Sequence, residues 1–429
     1  MKAESVVEQR PAARSGRAVR PAAWALLVFA LAAVPSLGAD VELDVFAWTR
    51  ADPIFTQVFA MFAAENPHIA VNDVTGAGNQ FDQILTLVAA GTPPDVIITT
   101  LGFYMPLAGA GILDDIAPRL ELDPEFAALR DGLYVTLLRQ FSTERGELYA
   151  FPLDINLRML FYNRDHFNQA GLPFPTDGWR FDEFVDTARR LTRLTDDGAV
   201  ERYGFTGFAG PPSAWITWVR AGGGQMFDRS VDPTRSTVSA PETLQVLHTL
   251  VAMIHSYNAA PPPAVAAPFQ QQRSSMGLLW VEDTYNLERL EGLDYAMVPQ
   301  PSIDQRYSAM GVRFVGIVKG SPQADEAYTL AKYMSTNPAA QRLLGERKVS
   351  WVRDVATDPD ILETPPGRNR RSVLNAIEFA EVIYPLTSAW NRVEPLLNQH
   401  VQAALNNQVS VEAAAQELDR ILPPILQGE

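Results

Sequence analysis

The stretch AAGTPPDVIITT, residues 89–100, decides how the first part of the chain is interpreted. Its glycine, two prolines and aspartate predict a helix end followed by a turn. The apolar run at 96–98 is typical of a buried parallel strand, and it ends on Thr99 and Thr100. We therefore expect a buried strand that opens onto a polar loop.

The segments around this stretch alternate between strand and helix patterns. Both longer helices have one apolar face, and the strands are short and rich in β-branched residues. The predicted strands are 41–48 and 68–74, and the predicted helices are 53–65, 79–90 and 103–109. This β-α-β-α-β-α order indicates an α/β fold with a parallel sheet. Parallel sheets bind ligands at the carboxyl ends of their strands, so Thr99 and Thr100 are candidate ligand residues; helix capping is the alternative for either threonine alone.

A second α/β layer is expected to begin near residue 148. Strand patterns occur at 148–153 and 157–162, and further helices are predicted at 181–194, 240–256, 323–344, 372–382 and 411–421. The 429 residues suit two or three domains. No internal repeat marks their borders.

Composition excludes several classes of protein. The chain has no cysteine, which excludes disulfides, thiolate metal sites, cysteine nucleophiles and a lipid-modified N-terminal cysteine. Its formal net charge of −15 disfavours nucleic acid and anionic membrane surfaces as partners.

The first 39 residues have the pattern of a signal peptide. A basic segment precedes the apolar run at 22–34, Pro35 ends that run, and small residues follow near Gly38. We expect cleavage near residue 39 and a periplasmic protein, with an uncleaved membrane anchor as the alternative. The segment carries five basic and two acidic side chains, so subtracting its +3 from −15 gives −18 for the cleaved chain.

Motifs of catalysis are missing from the sequence. It contains no Gly-x-Ser-x-Gly elbow, no His-Glu-x-x-His pair and no phosphate-binding loop. The five histidines are scattered without the spacing of a zinc site. We therefore predict a protein that is not an enzyme and that needs neither metal nor cofactor.

Aromatic residues beside polar groups are the informative class. Most fall at predicted strand ends or loops, and flat rings beside hydrogen-bonding groups suit a sugar. For any single tryptophan, core packing is the alternative. The candidates chosen by position and chemistry are Trp48, Arg50, Gln80, Trp218, Trp280, Glu282, Asp283, Trp351 and Trp390.

The sequence resembles the extracellular solute-binding proteins of ATP-binding-cassette importers, in the sugar-binding branch that includes maltose-binding protein. The resemblance covers essentially the whole chain after the signal segment. Several motifs carry it in the correct order: AAGTPPDVIITT with LAGAGILDDIAPRL, GELYAFPLDINLRMLFYNRDHFNQAGL, WRFDEFVDTARRLT, YGFTGF with WITWVRAGGGQMFD, FQQQRSSMGLLW, and GVRFVGIVKGSPQADEAYTLAKYMST.

This resemblance implies a two-lobed periplasmic-binding-protein fold, with a hinge and a ligand cleft between the lobes. Lobe one would comprise 40–154 and 302–347, and lobe two 155–301 and 348–429. It also implies ligand contacts from Asp154, in the crossover FPLDIN, and from Arg313, in GVRFVG. Trp280, Glu282, Asp283 and Trp390 match segments that hold stacking and polar ligand groups in the family.

The implied function is capture of a carbohydrate by a monomer and its delivery to the permease subunits of an importer. Three alternatives stay open. The first is an anionic polyol such as a glycerol phosphate, held by Arg313 and Arg50. The second is a periplasmic glycoside-active enzyme that uses Asp154 and Asp283. The third is presentation of the ligand to a sensor.

Overall fold

A computed structural model describes residues 40–47, 53–76, 80–303, 305–363 and 368–428. The signal segment at 1–39, Trp48 and Arg50 lie outside the described residues. No helix in the described ranges is both long and apolar enough to span a bilayer.

Ten strands are described; eight of them form one continuous path of pairing, and two branch from it. They are β1 Val41–Ala47, β2 Ile69–Asp73, β3 Val96–Thr100, β4 Phe151–Asn163, β5 Arg193–Leu194, β6 Val200–Thr206, β7 Ser274–Trp280, β8 Tyr295–Pro299, β9 Ser308–Ile317 and β10 Ala380–Val382. The order is β2-β1-β3-β9-β4-β7-β6-β5, with β10 paired to β9 and β8 paired to β4.

The helices of the described residues cover the sheet. They are α1 Pro53–Glu65, α2 Gln80–Ala89, α3 Leu101–Gly109, α4 Ala117–Leu122, α5 Pro124–Leu129, α6 Thr136–Phe141, α7 Arg164–Ala170, α8 Phe181–Leu191, α9 Ser213–Ala221, α10 Pro241–His255, α11 Thr284–Leu287, α12 Ala324–Thr336, α13 Pro338–Gly345, α14 Arg353–Ala356, α15 Pro359–Leu362, α16 Arg371–Ile377, α17 Trp390–Leu405 and α18 Val411–Leu426.

The long strand β4 joins two parts of the sheet. Its residues 151–157 pair with β9, and its residues 158–163 pair with β7 and β8. We call β2, β1, β3, β9, β10 and residues 151–157 the first half-sheet, and residues 158–163 with β5 to β8 the second half-sheet. All 13 residues of β4 are buried, because helices and neighbouring strands cover it along its length.

The first half-sheet begins as predicted. β1 pairs in parallel with both β2 and β3, so the carboxyl ends of these strands lie at one edge. The strand predicted from 96–98 is confirmed as β3, and the helix predicted over 53–65 is confirmed as α1. β9 then inserts between β3 and β4, antiparallel to both.

Three predictions about elements are wrong. The segment 323–344 is two helices, because Asn337 caps the second helix and Pro338 begins it. The segment 372–382 is a short helix followed by β10. The two strands expected at 148–153 and 157–162 are the single strand β4.

Three chain segments cross between the two half-sheets. The first is β4 and the second is the approach to β9. The third returns beside β4, where Val349 and Ile155 exchange two backbone hydrogen bonds of 2.8 and 2.9 Å. The side chains near these crossings form the site described next.

Candidate ligand-binding cleft

A cavity of about 340 Å³ lies where the end of β3, the middle of β9 and the start of α17 meet. Both half-sheets contribute to its walls. The lining residues are Thr100, Leu101, Gly102, Phe103, Asn156, Trp280, Glu282, Gly311, Val312, Arg313, Lys348, Ile383, Tyr384, Asn391 and Glu394. We call this cavity the cleft.

The first turn of α3 forms the wall on the side of β3. Thr100 precedes this helix in an extended conformation, and its side chain makes no capping hydrogen bond. The hydroxyl is therefore available to a ligand. Phe103 lines the same wall and stacks on Phe81, with 5.8 Å between ring centroids. This stacking ties the wall to α2.

Trp280 is a half-buried aromatic residue of the cleft, at the end of β7. The guanidinium of Arg158 lies 4.5 Å from its ring centroid, and the Asp283 carboxylate accepts a 2.9 Å hydrogen bond from its backbone N–H. Gly311 leaves room for the ring, because a Cβ there would come within 3.3 Å of it. These three contacts fix the indole in one orientation.

Arg158 itself is buried beneath the cleft. It donates hydrogen bonds to the Leu278 carbonyl at 2.9 Å and to the Ser213 hydroxyl at 2.8 Å. Burial lowers the pKa of this guanidinium to about 10, so Arg158 stays charged at neutral pH. A charged group held this firmly is suited to supporting Trp280 through a cation–π contact.

The two cations that line the cleft are paired with carboxylates. The Nε of Arg313 donates to Asp154 at 2.6 Å, and the guanidinium makes a second, shorter contact with the same carboxylate. The Lys348 ammonium lies 3.0 Å from the Glu282 carboxylate and 3.6 Å from that of Asp154. The positive charge in the cleft is therefore already balanced by protein carboxylates.

The wall from α17 adds an aromatic pair and a carboxylate. Tyr384 stacks on Trp390, with centroids 4.5 Å apart and an angle of 29° between the rings. Asn391 and Glu394, one and four residues later, line the cleft. Burial raises the pKa of Glu394, and this effect is larger than the lowering of the pKa by the nearby Trp390 side chain.

The structure brings four of the predicted site residues into the lining, namely Thr100, Trp280, Glu282 and Arg313. Asp154, Asp283 and Trp390 lie directly behind that lining, in contact with Arg313, Trp280 and Tyr384 respectively. Thr99 is buried in β3, one residue before the cleft, and Gln80 begins α2 without lining it.

Two predicted residues belong to the core instead. Trp218 is fully buried among phenylalanines, with its ring stacked on Phe184 at 5.2 Å. Trp351 is fully buried, and its indole N–H donates to the Ser335 carbonyl at 2.5 Å. Both rings therefore pack in the core, which is the alternative to ligand binding that applies to any single tryptophan.

Sequence reasoning missed several lining residues. Asn156 lies two residues after Asp154 in β4, so the period of two in a strand places both side chains on the same face. That spacing could have predicted Asn156 from Asp154. Lys348 comes from the third crossing segment and Tyr384 follows β10, and neither place has a periodic pattern. Asn391 and Glu394 lie in the first turns of a helix that was not predicted. Among the described residues, no group of three or more acidic or histidine side chains could hold a metal ion.

The family model "Bacterial extracellular solute-binding protein" matches residues 47–341. The chain belongs to this family. Its match spans most of the described residues, including all of β3, β4, β7 and β9, which position the cleft.

Among characterised relatives, the mannitol-binding protein of Pseudomonas aeruginosa is 25% identical over 397 residues, which cover 86% of this chain and 84% of that protein. A putative binding protein of Brucella abortus is 28% identical over 182 residues. That match spans about two fifths of each chain, namely 42% of this one and 41% of the relative.

Among solved structures, a substrate-binding protein of an ABC transporter from Listeria monocytogenes, in complex with cycloalternan, superposes with a TM-score of 0.79. It is 20% identical, and the superposition covers 91% of this chain and 100% of that one. This likeness confirms the two-lobed α/β fold of a periplasmic binding protein. The family and these relatives are binding proteins.

Proposed function

We propose that this protein captures a neutral carbohydrate or polyol in the cleft and delivers it to the permease subunits of an ABC importer. The observation that carries the proposal is the fixed, half-buried ring of Trp280 in a cleft whose walls combine apolar side chains with the hydroxyl of Thr100, the amides of Asn156 and Asn391, and the carboxylates of Glu282 and Glu394. A sugar offers an apolar face to such a ring and hydroxyl groups to the polar walls.

The charges of the cleft favour a neutral ligand over an anionic one. Arg313 and Lys348 each already face a carboxylate, while Glu394 adds negative charge. A phosphate would meet Glu282 and Glu394 in the same cavity and would have to displace existing ion pairs. Hydroxyl groups, in contrast, can donate to these carboxylates in charge-assisted hydrogen bonds.

The arrangement of carboxylates also disfavours a glycoside-active enzyme. Asp154 is fully buried in its ion pair with Arg313, and the Asp283 carboxylate accepts from the Trp280 backbone. Neither of them lines the cleft. The two acids named for that reaction are therefore occupied by structural contacts, so the proposal describes binding without chemical change.

The lobes of this proposal are 40–154 with 302–347, and 155–301 with 348–429, acting as a monomer in the periplasm. The change of pairing partner within β4, between residues 157 and 158, supports a border close to the first of these limits. The contact between Val349 and Ile155 supports the last one. The N-terminal signal pattern supports export.

Isothermal titration calorimetry tests the proposal with mannitol, tagatose, maltose, mannobiose and glycerol 3-phosphate. We expect at least one neutral ligand to bind with a Kd of about 1 μM or tighter, which corresponds to roughly −8 kcal/mol. Trp280→Ala should weaken binding by about 1–3 kcal/mol through lost aromatic contact.

Trp179→Ala is the matched control. This tryptophan is also half-buried, but it packs on Phe184 of α8 and does not line the cleft. The proposal is refuted if glycerol 3-phosphate alone binds, or if both alanine variants lose the same affinity for a neutral ligand.

A further inference from the structure

A second cavity, of about 430 Å³, lies beside the first. We call it the rear cavity. Ile383 and Tyr384 line both cavities, and no other lining residue is common to the two. The rear cavity is lined by Arg139, Gln140, Ile216, Arg220, Gln225, Met226, Phe227, Arg229, Ser230, Val231, Glu381, Val382, Ile383, Tyr384 and Pro385.

Apart from the shared Ile383 and Tyr384, the two cavities are lined by different segments: Gly311, Val312 and Arg313 of β9 line the cleft, whereas no residue of β9 lines the rear cavity. Arg313 and Phe314 are consecutive in this strand, so their side chains point to opposite faces. Arg313 lines the cleft, whereas Phe314 packs edge-on against Phe141 at 4.8 Å between centroids. Phe141 ends α6, the helix that supplies Arg139 and Gln140 to the rear cavity. An occupant of the rear cavity is therefore separate from the proposed carbohydrate.

Positive charge is concentrated around the rear cavity, although the chain as a whole carries −15. Three arginines and a single acidic residue, Glu381, line it. Arg220 is mostly buried and pairs with Glu381 and Gln225. The lining thus keeps two positive charges in excess of its acidic ones.

Arg139 and Arg229 are the arginines that an occupant can reach. Arg139 is exposed, and within the described ranges it makes no hydrogen bond or ion pair. Arg229 donates to the Asp232 carbonyl at 2.8 Å and lies 3.4 Å from the Glu144 carboxylate, in an exposed pair that water screens. The pair with Glu144 also brings Arg229 close to the end of α6.

Apolar side chains form part of the remaining surface of the rear cavity, beside the polar Gln140, Gln225 and Ser230. Ile216 and Met226 are buried, and Phe227 is 6% exposed. An occupant that pairs with the arginines would therefore rest its body on hydrocarbon surface. Guanidinium groups match the geometry of carboxylate and phosphate oxygens, which they bind through two parallel hydrogen bonds.

We propose that the rear cavity is a second binding site, which takes a small organic anion through its carboxylate or phosphate group. Arg139 and Arg229 hold the charged group, and Met226 and Phe227 contact the body of the ligand. This inference does not depend on which carbohydrate the cleft accepts.

The wall between the cavities links the two sites. The side chain of Gln140 brackets β10, donating to the Ala380 carbonyl at 3.4 Å and accepting from the Val382 N–H at 3.1 Å. β10 continues into Ile383 and Tyr384, which line the cleft. α6 packs on β9 through Phe141 and Phe314, and residues 225–231 follow α9, whose Trp218 packs on Phe205 of β6, so an anion held by Arg139 and Arg229 would contact segments that pack on both half-sheets. If an anion in the rear cavity changes the affinity of the cleft for its ligand, that ligand changes the affinity of the rear cavity for the anion by the same factor.

The test titrates the full protein with succinate, benzoate and inorganic phosphate, each matched to sodium chloride of equal ionic strength. Thermal shift and calorimetry should show saturable binding of at least one probe to the wild type. Arg139→Gln and Arg229→Gln should each weaken that binding at least tenfold, since each removes a charge-assisted hydrogen bond. Preference for succinate over phosphate, or the reverse, identifies the charged group.

Arg190→Gln is the matched control, because Arg190 is an exposed arginine of α8 that pairs with Asp186 at 3.9 Å. It should bind the probes like the wild type. The proposal is overturned if no probe exceeds the chloride effect, or if the two rear-cavity variants bind as tightly as the control. These readouts need no carbohydrate, so they remain decisive even if the proposed function fails.

Discussion

Replacing Asp154 with asparagine keeps the shape of the side chain and removes its charge. From the family resemblance, Asp154 is expected to contact the ligand, and in that case the stability of the unliganded protein should hardly change. In the structure, however, Asp154 has 0% exposure. Its carboxylate forms an ion pair with Arg313 and lies 3.6 Å from the Lys348 ammonium. We therefore expect Asp154→Asn to lower stability in the absence of ligand.

The expected loss follows from the burial of the pair. Arg313 would keep its cation–π contact with Phe55, at 4.9 Å, but would lose its carboxylate. Breaking a buried ion pair by removing one partner costs about 3–5 kcal/mol. An unfolding entropy of about 2.1 cal/mol/K per residue gives roughly 0.8 kcal/mol/K for the chain from residue 40 onwards, so Tm should fall by about 4–6 °C.

Thermal unfolding of the ligand-free variant, followed by circular dichroism, measures this change. Asp186→Asn is the control, because Asp186 pairs with Arg190 at 3.9 Å on the exposed surface of α8. Its Tm should change less than that of Asp154→Asn. An unchanged Tm in Asp154→Asn, together with a tenfold loss of carbohydrate affinity, would refute the structural role and restore the ligand contact.

Three further predictions concern the cleft and the effect of pH. Gly311→Ala should weaken carbohydrate binding several-fold at nearly unchanged Tm, because its Cβ would displace the Trp280 ring; calorimetry that shows wild-type affinity would contradict this. Burial raises the pKa of Glu394, so carbohydrate affinity should fall as pH drops through that raised pKa and Glu394 takes up a proton, and Glu394→Gln should remove this dependence in titrations between neutral and mildly acidic pH. Burial and nearby arginines lower the pKa of His166 to about 4, so as pH falls below about 6.5 this histidine takes up a proton in the unfolded chain before it does so in the folded protein. The free energy of unfolding measured in urea should therefore decrease between about pH 6.5 and pH 4. The decrease should be smaller in His166→Gln.

Local patterns were enough to predict the first elements of the fold. The apolar face of α1 and the buried run of β3 recur at fixed spacing, and both were placed to within two residues. The insertion of β9 beside β3 depends on contacts about 215 residues apart in sequence, and no periodicity records such a pairing. The resemblance to a known family supplied that part of the architecture.

Only part of the site was predicted, because local patterns locate strand ends but do not record contacts between distant segments. Thr100 and Trp280 end strands, and strand ends can be recognised from sequence. Whether a tryptophan at such a place faces a cavity or the core depends on neighbours from distant segments. Trp218 has a polar neighbour in sequence, yet four phenylalanines from other segments surround its ring. Glu394 lies on a helix that begins without a capping side chain, which removes the usual signal of a helix start.

The position of β9 has a consequence for how this chain is synthesised and folded. The sheet that contains β1, β2 and β3 is incomplete until residues 308–317 have left the ribosome, because β9 covers the edge of β3 and the first part of β4. Until then the edges of β3 and β4 that β9 later covers are open, and the roughly 200 residues between β3 and β9 delay their closure. Synthesis up to residue 307 thus leaves the first half-sheet without the strand that joins β3 to β4, and an unfinished sheet of this kind would suit the export proposed above.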